Sequence, residues 1–200
     1  MRGDQISDER LVSLSKDGNL QAFNSLVASY ERQVFNLCLR LVGDRQAAED
    51  ATQEAFLSAF RGIRKFRGGN FRSWLLRIAA NQAKDELRHR GRRPVTTPIV
   101  ADDPDDRPID PPDPARGPSE RAENRELASA LSRALQTLPF EQRQAILLVD
   151  YHGLDYSEAA EASGVSLGTI KSRIHRGREA LRRYVREHPE QFGARWRRDW

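Results

Sequence analysis

A single cysteine, Cys38, excludes an internal disulfide and an all-cysteine zinc site. It stands among Leu37, Leu39 and Leu41, a setting that predicts a buried, inert thiol and suits a reducing cytoplasm. No apolar run approaches the roughly 20 residues a membrane-spanning helix needs. The polar, charged start from Met1 to Asn19 carries no signal-peptide pattern, so no membrane insertion is expected. β alternation of useful length is missing, as is any internal repeat. The four histidines, His89, His152, His175 and His188, have no metal-ligand spacing with one another or with Cys38. Gly68-Gly69 lacks the Lys-Ser/Thr of a phosphate loop. Glu49, Asp50 and Glu54 cluster on one helix, but no His or Lys beside them completes an acid–base site. They read better as a protein-binding face. No catalytic residue, metal, cofactor or enzymatic activity is therefore expected.

What the chain has in excess is proline in one place. Eight of its ten prolines fall between Pro94 and Pro118, together with six aspartates, Asp102, Asp103, Asp105, Asp106, Asp110 and Asp113. Proline blocks helix and sheet pairing and like charges keep a chain extended, so 94–118 reads as an acidic linker. It divides the 200 residues into a first module, 1–93, a second, 119–187, and a basic tail, 188–200. The expected fold class is all-α, two small helical domains joined by a flexible linker.

Helical periodicity predicts four helices before the linker. The first runs from about Ser7 to Asp17. The second, from Asn19 to Val42, carries the stripe Phe23, Leu26, Val27, Tyr30, Val34, Leu37, Cys38 and Leu41. The third, capped by Asp44 and ending near Gly62, should bury Ala47, Ala48, Ala51, Ala55, Ala59 and Phe60. The fourth, Phe71 to Arg90, should bury most of Trp74 and leave Phe66 or Phe71 only partly covered. After the linker, Ser119 should cap a helix bearing Leu127, Leu131, Leu135 and Leu138, and Pro139 should open another.

Two segments carry the functional signal. From Tyr156 to Arg178 the chain reads as two helices joined at Gly164, with Ala159 and Ala160 small enough for close contact and Ser166 placed to cap the second. That second helix bears Lys171, Ser172, Arg173, His175, Arg176 and Arg178, a pattern that fits a DNA major groove. In the first module, Arg61 to Arg72 mixes cations with Phe66 and Phe71, and Trp74 follows. Cations that track a backbone beside aromatics that stack bases suit single-stranded DNA.

These segments resemble a known set. Ala48 to Phe60 is similar to the core-polymerase-binding helix of bacterial sigma factors, and Phe71 to Arg88 to their −10 recognition helix. Leu138-Pro139 with Arg143, Leu154 to Glu158, and Gly168 to Arg176 resemble their −35-binding domain. Two such domains joined directly have the layout of the extracytoplasmic-function, or group IV, members of the sigma-70 family. The resemblance implies that Asp50, Gln53, Glu54, Phe56 and Leu57 dock on the clamp of the polymerase largest subunit, with further contact at the flap. It implies that Arg64, Lys65, Phe66, Asn70, Asn81, Lys84, Asp85, Arg88 and Arg92 address the −10 element, the loop holding a flipped base. It assigns Lys171, Ser172, Arg173, His175 and Arg176 to the −35 element. The partners implied are core RNA polymerase, promoter DNA and an anti-sigma factor, and the linker would thread the RNA exit path.

Two positions depart from the family pattern. Gly177 stands where Ala is usual, which predicts a frayed or shortened recognition helix, since Gly costs about 1 kcal/mol against Ala. Ala159-Ala160 replaces a more usual Ile-Ala. The alternative reading is a stand-alone helix-turn-helix regulator; a pure protein-interaction module using the Glu49 to Leu57 face is a third.

Overall fold

The computed structural model describes residues 7–90 and 118–192. Arg92, Arg93, the linker up to residue 117 and the tail from 193 lie outside the described residues. All regular structure described is helical.

The first half holds α1 (Asp8–Lys16), α2 (Leu20–Val42), α3 (Arg45–Gly62) and α4 (Phe71–Arg90). Side-chain oxygens start three of them. The Ser7 hydroxyl accepts from the Arg10 N–H at 3.4 Å, Asn19 from Ala22 at 3.0 Å and Asp44 from Ala47 at 2.9 Å. The α2 stripe is buried apart from Val27, which is only partly covered, with Val34, Leu37, Cys38 and Leu41 wholly enclosed. Burial pushes the Cys38 thiol up to about 12, so it stays protonated and inert. The Tyr30 hydroxyl donates to Asp8 and ties α1 to α2.

α3 and α4 meet along alanines. Ala47, Ala48, Ala51, Ala55 and Ala59 from one helix and Ala79, Ala80 and Ala83 from the other are all buried. The Gln82 amide donates across this seam to the Ser58 hydroxyl at 3.1 Å.

Two expectations fail here. Phe60 is 46% exposed, because the alanines alone fill the seam and Phe60 falls outside it. The aromatic order is also reversed: Phe66 and Phe71 are buried, while Trp74 is only half-buried. A 3-10 turn at Ile63–Lys65, absent from the periodicity, folds Phe66 inward. Its ring then packs against Phe71 and Trp74 at centroid distances of 6.0 and 5.0 Å.

The second half holds α5 (Pro118–Gln136), α6 (Phe140–Ile146), α7 (Tyr156–Ser163) and α8 (Leu167–Glu187). α5 begins at Pro118, so Ser119 lies inside it, not ahead of it. Pro139 is the residue that precedes α6 and not its first helical position. α6 runs on into a π-helical turn, Leu147–Tyr151, in which the His152 N–H reaches the Leu147 carbonyl at 2.9 Å. Asp155 and Glu158 form a reciprocal capping box on α7. Gly164, at φ +64°, makes the turn to α8, where Ser166 caps the helix as its position predicts by accepting from the Thr169 N–H at 3.2 Å.

α8 does not fray at Gly177 but continues to Glu187. Gly177 is buried against α6: a Cβ there would lie 2.9 Å from Ile146 Cγ1 and 3.2 Å from Cδ1. The glycine lets the two helices approach closely. Packing also extends past Glu187, through a 3-10 turn at Pro189–Gln191 to Phe192, which is fully enclosed.

The two halves pack against each other, and their buried apolar residues form one continuous cluster. The end of α2 is closed from the second half. Gln136 donates to the Arg40 carbonyl at 2.9 Å, and the buried Arg143 to the Leu41 carbonyl at 2.5 Å. Terminal helix carbonyls lack partners within their own helix, so α5 and α6 supply them.

Candidate core-binding groove and nucleic-acid interface

Between α2 and α3 lies an open groove of about 900 Å³. Its apolar lining includes Phe23, Val27, Phe35, Phe56, Leu57 and Phe60, with Leu20 at one end. Leu20 is 58% and Leu57 40% exposed, an unusual density of bare apolar surface for one helix pair. Gln53 lines the groove, Asp50 and Glu54 are exposed on α3, and Arg45 pairs with Glu49 at 3.0 Å. An apolar trough on an acidic helix suits a protein partner. Sequence reasoning missed Leu20 and Phe60. The signal for Phe60 was its spacing, since Gln53, Phe56, Leu57 and Phe60 recur every three to four residues along one face.

The residues assigned to −10 DNA divide. Arg64, Lys65, Asn70, Asn81, Asp85 and Arg88 are exposed. Phe66 is a correction: buried beneath Phe71 and Trp74, with the Lys16 ammonium 5.3 Å from its ring centre, it offers no face to a base. Trp74, which lies beside it and is more exposed, is the aromatic nearest to that role. Asp85 pairs with Arg88 at 3.2 Å. Arg92 lies outside the described residues.

On α8, Lys171, His175 and Arg176 are exposed, and Ser172 and Arg173 are half-buried. Arg176 Nη2 donates to the Ser172 hydroxyl at 3.1 Å. Arg178 departs from its neighbours. It forms a two-pronged pair with Asp150, at 3.0 and 2.5 Å, and anchors α8 to the π-helical turn.

The docked halves bring several of these groups together. Asn70 Nδ2 donates to Glu158 Oε1 at 2.6 Å, and the Ser73 hydroxyl donates to the same oxygen at 2.9 Å. Lys84 reaches Glu141 at 3.2 Å and sits 5.6 Å from the Phe140 ring centre. Arg72 bridges the Gln33 side chain, at 2.8 Å, and the His152 carbonyl, at 2.5 Å. The Glu141 carboxyl is held below the usual range, first by its own N–H at the start of α6 and then by Lys84, with Arg173 adding to the effect. One carboxylate thus lies between a −10 candidate and a −35 candidate. His152 is buried beside Arg72 and Arg40, with neither ring nitrogen hydrogen-bonded; burial first, then those charges, push it down to about 3.

Among the described residues no helix is long and apolar enough to cross a membrane. Residues 26–93 match the family described as Sigma-70 region 2, and residues 128–181 the family described as Sigma-70, region 4. The RNA polymerase sigma-H factor of Pseudomonas aeruginosa is 38% identical over 186 residues, covering 88% of this chain and 93% of that protein. The ECF RNA polymerase sigma factor SigE of Mycolicibacterium smegmatis is 38% identical over 169 residues, or 84% of this chain. The chain spans 63% of that relative's length. The structure is similar to that of the sigma factor RpoE in complex with the anti-sigma factor NepR from Bartonella quintana. The TM-score is 0.65 at 26% identity, with 82% of this chain and 96% of that one covered.

Proposed function

The chain belongs to the extracytoplasmic-function sigma factors of the sigma-70 family, and from that membership we propose how its surfaces divide the work of transcription initiation. The protein is an initiation factor that binds core RNA polymerase and directs it to specific promoters. The groove of α2 and α3 takes the clamp of the largest subunit, with Asp50, Gln53 and Glu54 around the apolar residues Leu20, Phe56, Leu57 and Phe60. α4 and the loop before it address the −10 element through Arg64, Lys65, Asn70, Asn81, Lys84 and Arg88. α8 enters the major groove of the −35 element with Lys171, Ser172, His175 and Arg176 leading and Arg173 at the flank. No step of this work calls for catalysis by the chain or for a cofactor. Its place of action is the cytoplasm, where the polymerase is, and an anti-sigma protein is its natural inhibitor.

The observation that carries this reading is one chain bearing three distinct faces: a bare apolar groove, a basic helix beside an aromatic cluster, and a capped helix-turn-helix. The two promoter elements lie roughly 25 base pairs apart, about 85 Å along B-form DNA. The 27 residues between Arg90 and Pro118 reach at most about 90 Å when extended, enough to serve both.

Multi-round transcription with bacterial core polymerase on a promoter library from the source genome tests the reading. Transcripts that arise only with the protein, and share two spaced motifs, are expected. Duplex binding by the protein alone, without transcripts, would return the assignment to a stand-alone regulator.

A further inference from the structure

We propose that the groove between α2 and α3 receives a segment of the chain itself, Gly193 to Trp200, as a tethered occupant. The segment lies outside the described residues, but its tether does not. Phe192 is fully enclosed, and the 3-10 turn before it is held to α5, where Arg133 donates to the Gln191 side chain at 3.3 and 3.4 Å. One turn further along α5, Gln136 lies against Gly43, so closely that a Cβ there would stand 2.8 Å from its Cδ. Gly43 ends α2, and the groove begins two residues later at Arg45, which pairs with Glu49 and lies 5.6 Å from the Phe35 ring centre. The anchor at Phe192 and the near end of the groove are therefore two side chains and one turn of backbone apart. Eight residues reach about 27 Å when extended, which covers that path and enters the near half of the groove.

The chemistry of the two sides matches. The segment carries Arg195, Arg197 and Arg198 against a single acid, Asp199, with Trp196 and Trp200 four residues apart. The near half of the groove offers Phe35, Val27 and Phe56, with the exposed carboxylates Glu31, Glu49, Asp50 and Glu54 on its two helices. Arg32 and Arg45 also line it, but the four carboxylates outnumber them. Tryptophan and arginine gain most in such a setting, the indole by filling an apolar slot and the guanidinium by forked pairing with a carboxylate. A short tether supplies an effective concentration in the millimolar range, so a contact too weak to hold a free peptide keeps a tethered one docked. The consequence for transcription rests on the proposed function, which gives this groove to the polymerase clamp. A segment docked about nine-tenths of the time lowers the apparent affinity for core polymerase about tenfold.

The test uses the full chain with Trp74→Phe, which leaves Trp196 and Trp200 as the reporting indoles. Emission wavelength and acrylamide quenching are read in that chain and in a groove variant of it, Glu49→Arg with Gln53→Arg, both at exposed positions on α3. Far-ultraviolet dichroism checks that each chain keeps its helices. The indoles should emit to the blue and resist quenching across a wide range of protein concentration. In the groove variant the emission should move to the red, and quenching should rise toward that of a short tryptophan peptide. Indoles quenched as freely as that peptide before the groove is altered overturn the proposal. So does shielding that survives the groove variant, which places the segment elsewhere, and shielding lost on dilution, which places it in the groove of a second copy. Separately, Trp196→Ser with Trp200→Ser, in the otherwise native chain, should bind immobilised core polymerase about three- to tenfold more tightly. If the shielding depends on the groove and the core affinity does not change, the docking stands and the assignment of the groove to the polymerase fails.

Discussion

Gly177→Ala sets two well-defined effects against each other. Replacing a glycine inside an exposed helix with alanine should stabilise it by about 1 kcal/mol. Here the new Cβ would stand 2.9 Å from Ile146 Cγ1 and 3.2 Å from Cδ1, with the Gln142 carbonyl 3.5 Å away. Both helices are anchored, α8 to the π-helical turn through Arg178 and Asp150, so neither can slide aside freely. Forcing a methyl group into such a contact costs about 1–3 kcal/mol. The net expectation is destabilisation by roughly 1 kcal/mol, opposite in sign to the helix effect alone. In an Ile146→Ala background the space opens. That substitution alone should cost about 2–5 kcal/mol, and Gly177→Ala added to it should now stabilise. The coupling between the two sites should be about 1–3 kcal/mol. Urea denaturation of the four proteins of the cycle, followed by helical dichroism, measures it. A stabilising Gly177→Ala of equal size in both backgrounds would refute close packing as the reason for the glycine.

His152 should give the protein an acid-sensitive limb. The unfolded chain takes up this proton near pH 6.5 and the folded chain only at about 3, so stability is full above the first value and falls as pH drops between them. The slope should approach about 1.4 kcal/mol per pH unit, and His152→Leu should flatten it by one proton's worth in denaturation series across that window. Asp50→Lys combined with Glu54→Lys should abolish core polymerase binding in a pull-down; unchanged retention removes the acidic face of α3 from the docking surface. Lys171→Ala and Arg176→Ala should each weaken −35 duplex binding by about 1–3 kcal/mol if they touch bases, and a fluorescence titration with no loss for either sinks the major-groove placement of α8.

The helices were legible because their signals are local. Asn19, Asp44, Ser166 and Gly164 mark boundaries through bonds within one turn of the chain, and the α2 stripe repeats with the helical period. Expectation and structure differ where a distant element decides. Whether Phe66, Phe71 or Trp74 is covered depends on a 3-10 turn and on α1, from which Lys16 reaches the Phe66 ring. Within its own helix Gly177 reads as a weakness, whereas its reason stands on α6, thirty-one residues back at Ile146. The groove was half visible: α3 gave its residues by spacing, but Leu20 belongs to it only because α2 lies alongside. The docking of the halves was not legible at all. It rests in part on carbonyls of Arg40, Leu41 and His152, and a backbone oxygen has no letter in a sequence; its side-chain contacts join residues 57 to 88 positions apart, beyond the reach of any local pattern.

The alanine seam between α3 and α4 has a mechanical consequence. Side chains this short leave no compressible layer between the two backbones, so the helices translate and tilt as a single girder. One flank of that girder carries the groove residues Gln53, Phe56, Leu57 and Phe60, and the other carries Asn81, Lys84 and Arg88. A protein that grips the groove therefore sets the position of the flank assigned above to DNA without any change of shape in between. Even a single methylene added to Ala55 or Ala79 would shift the two flanks relative to each other, so under the proposed assignment the register between polymerase and promoter is written into the smallest side chains of the domain.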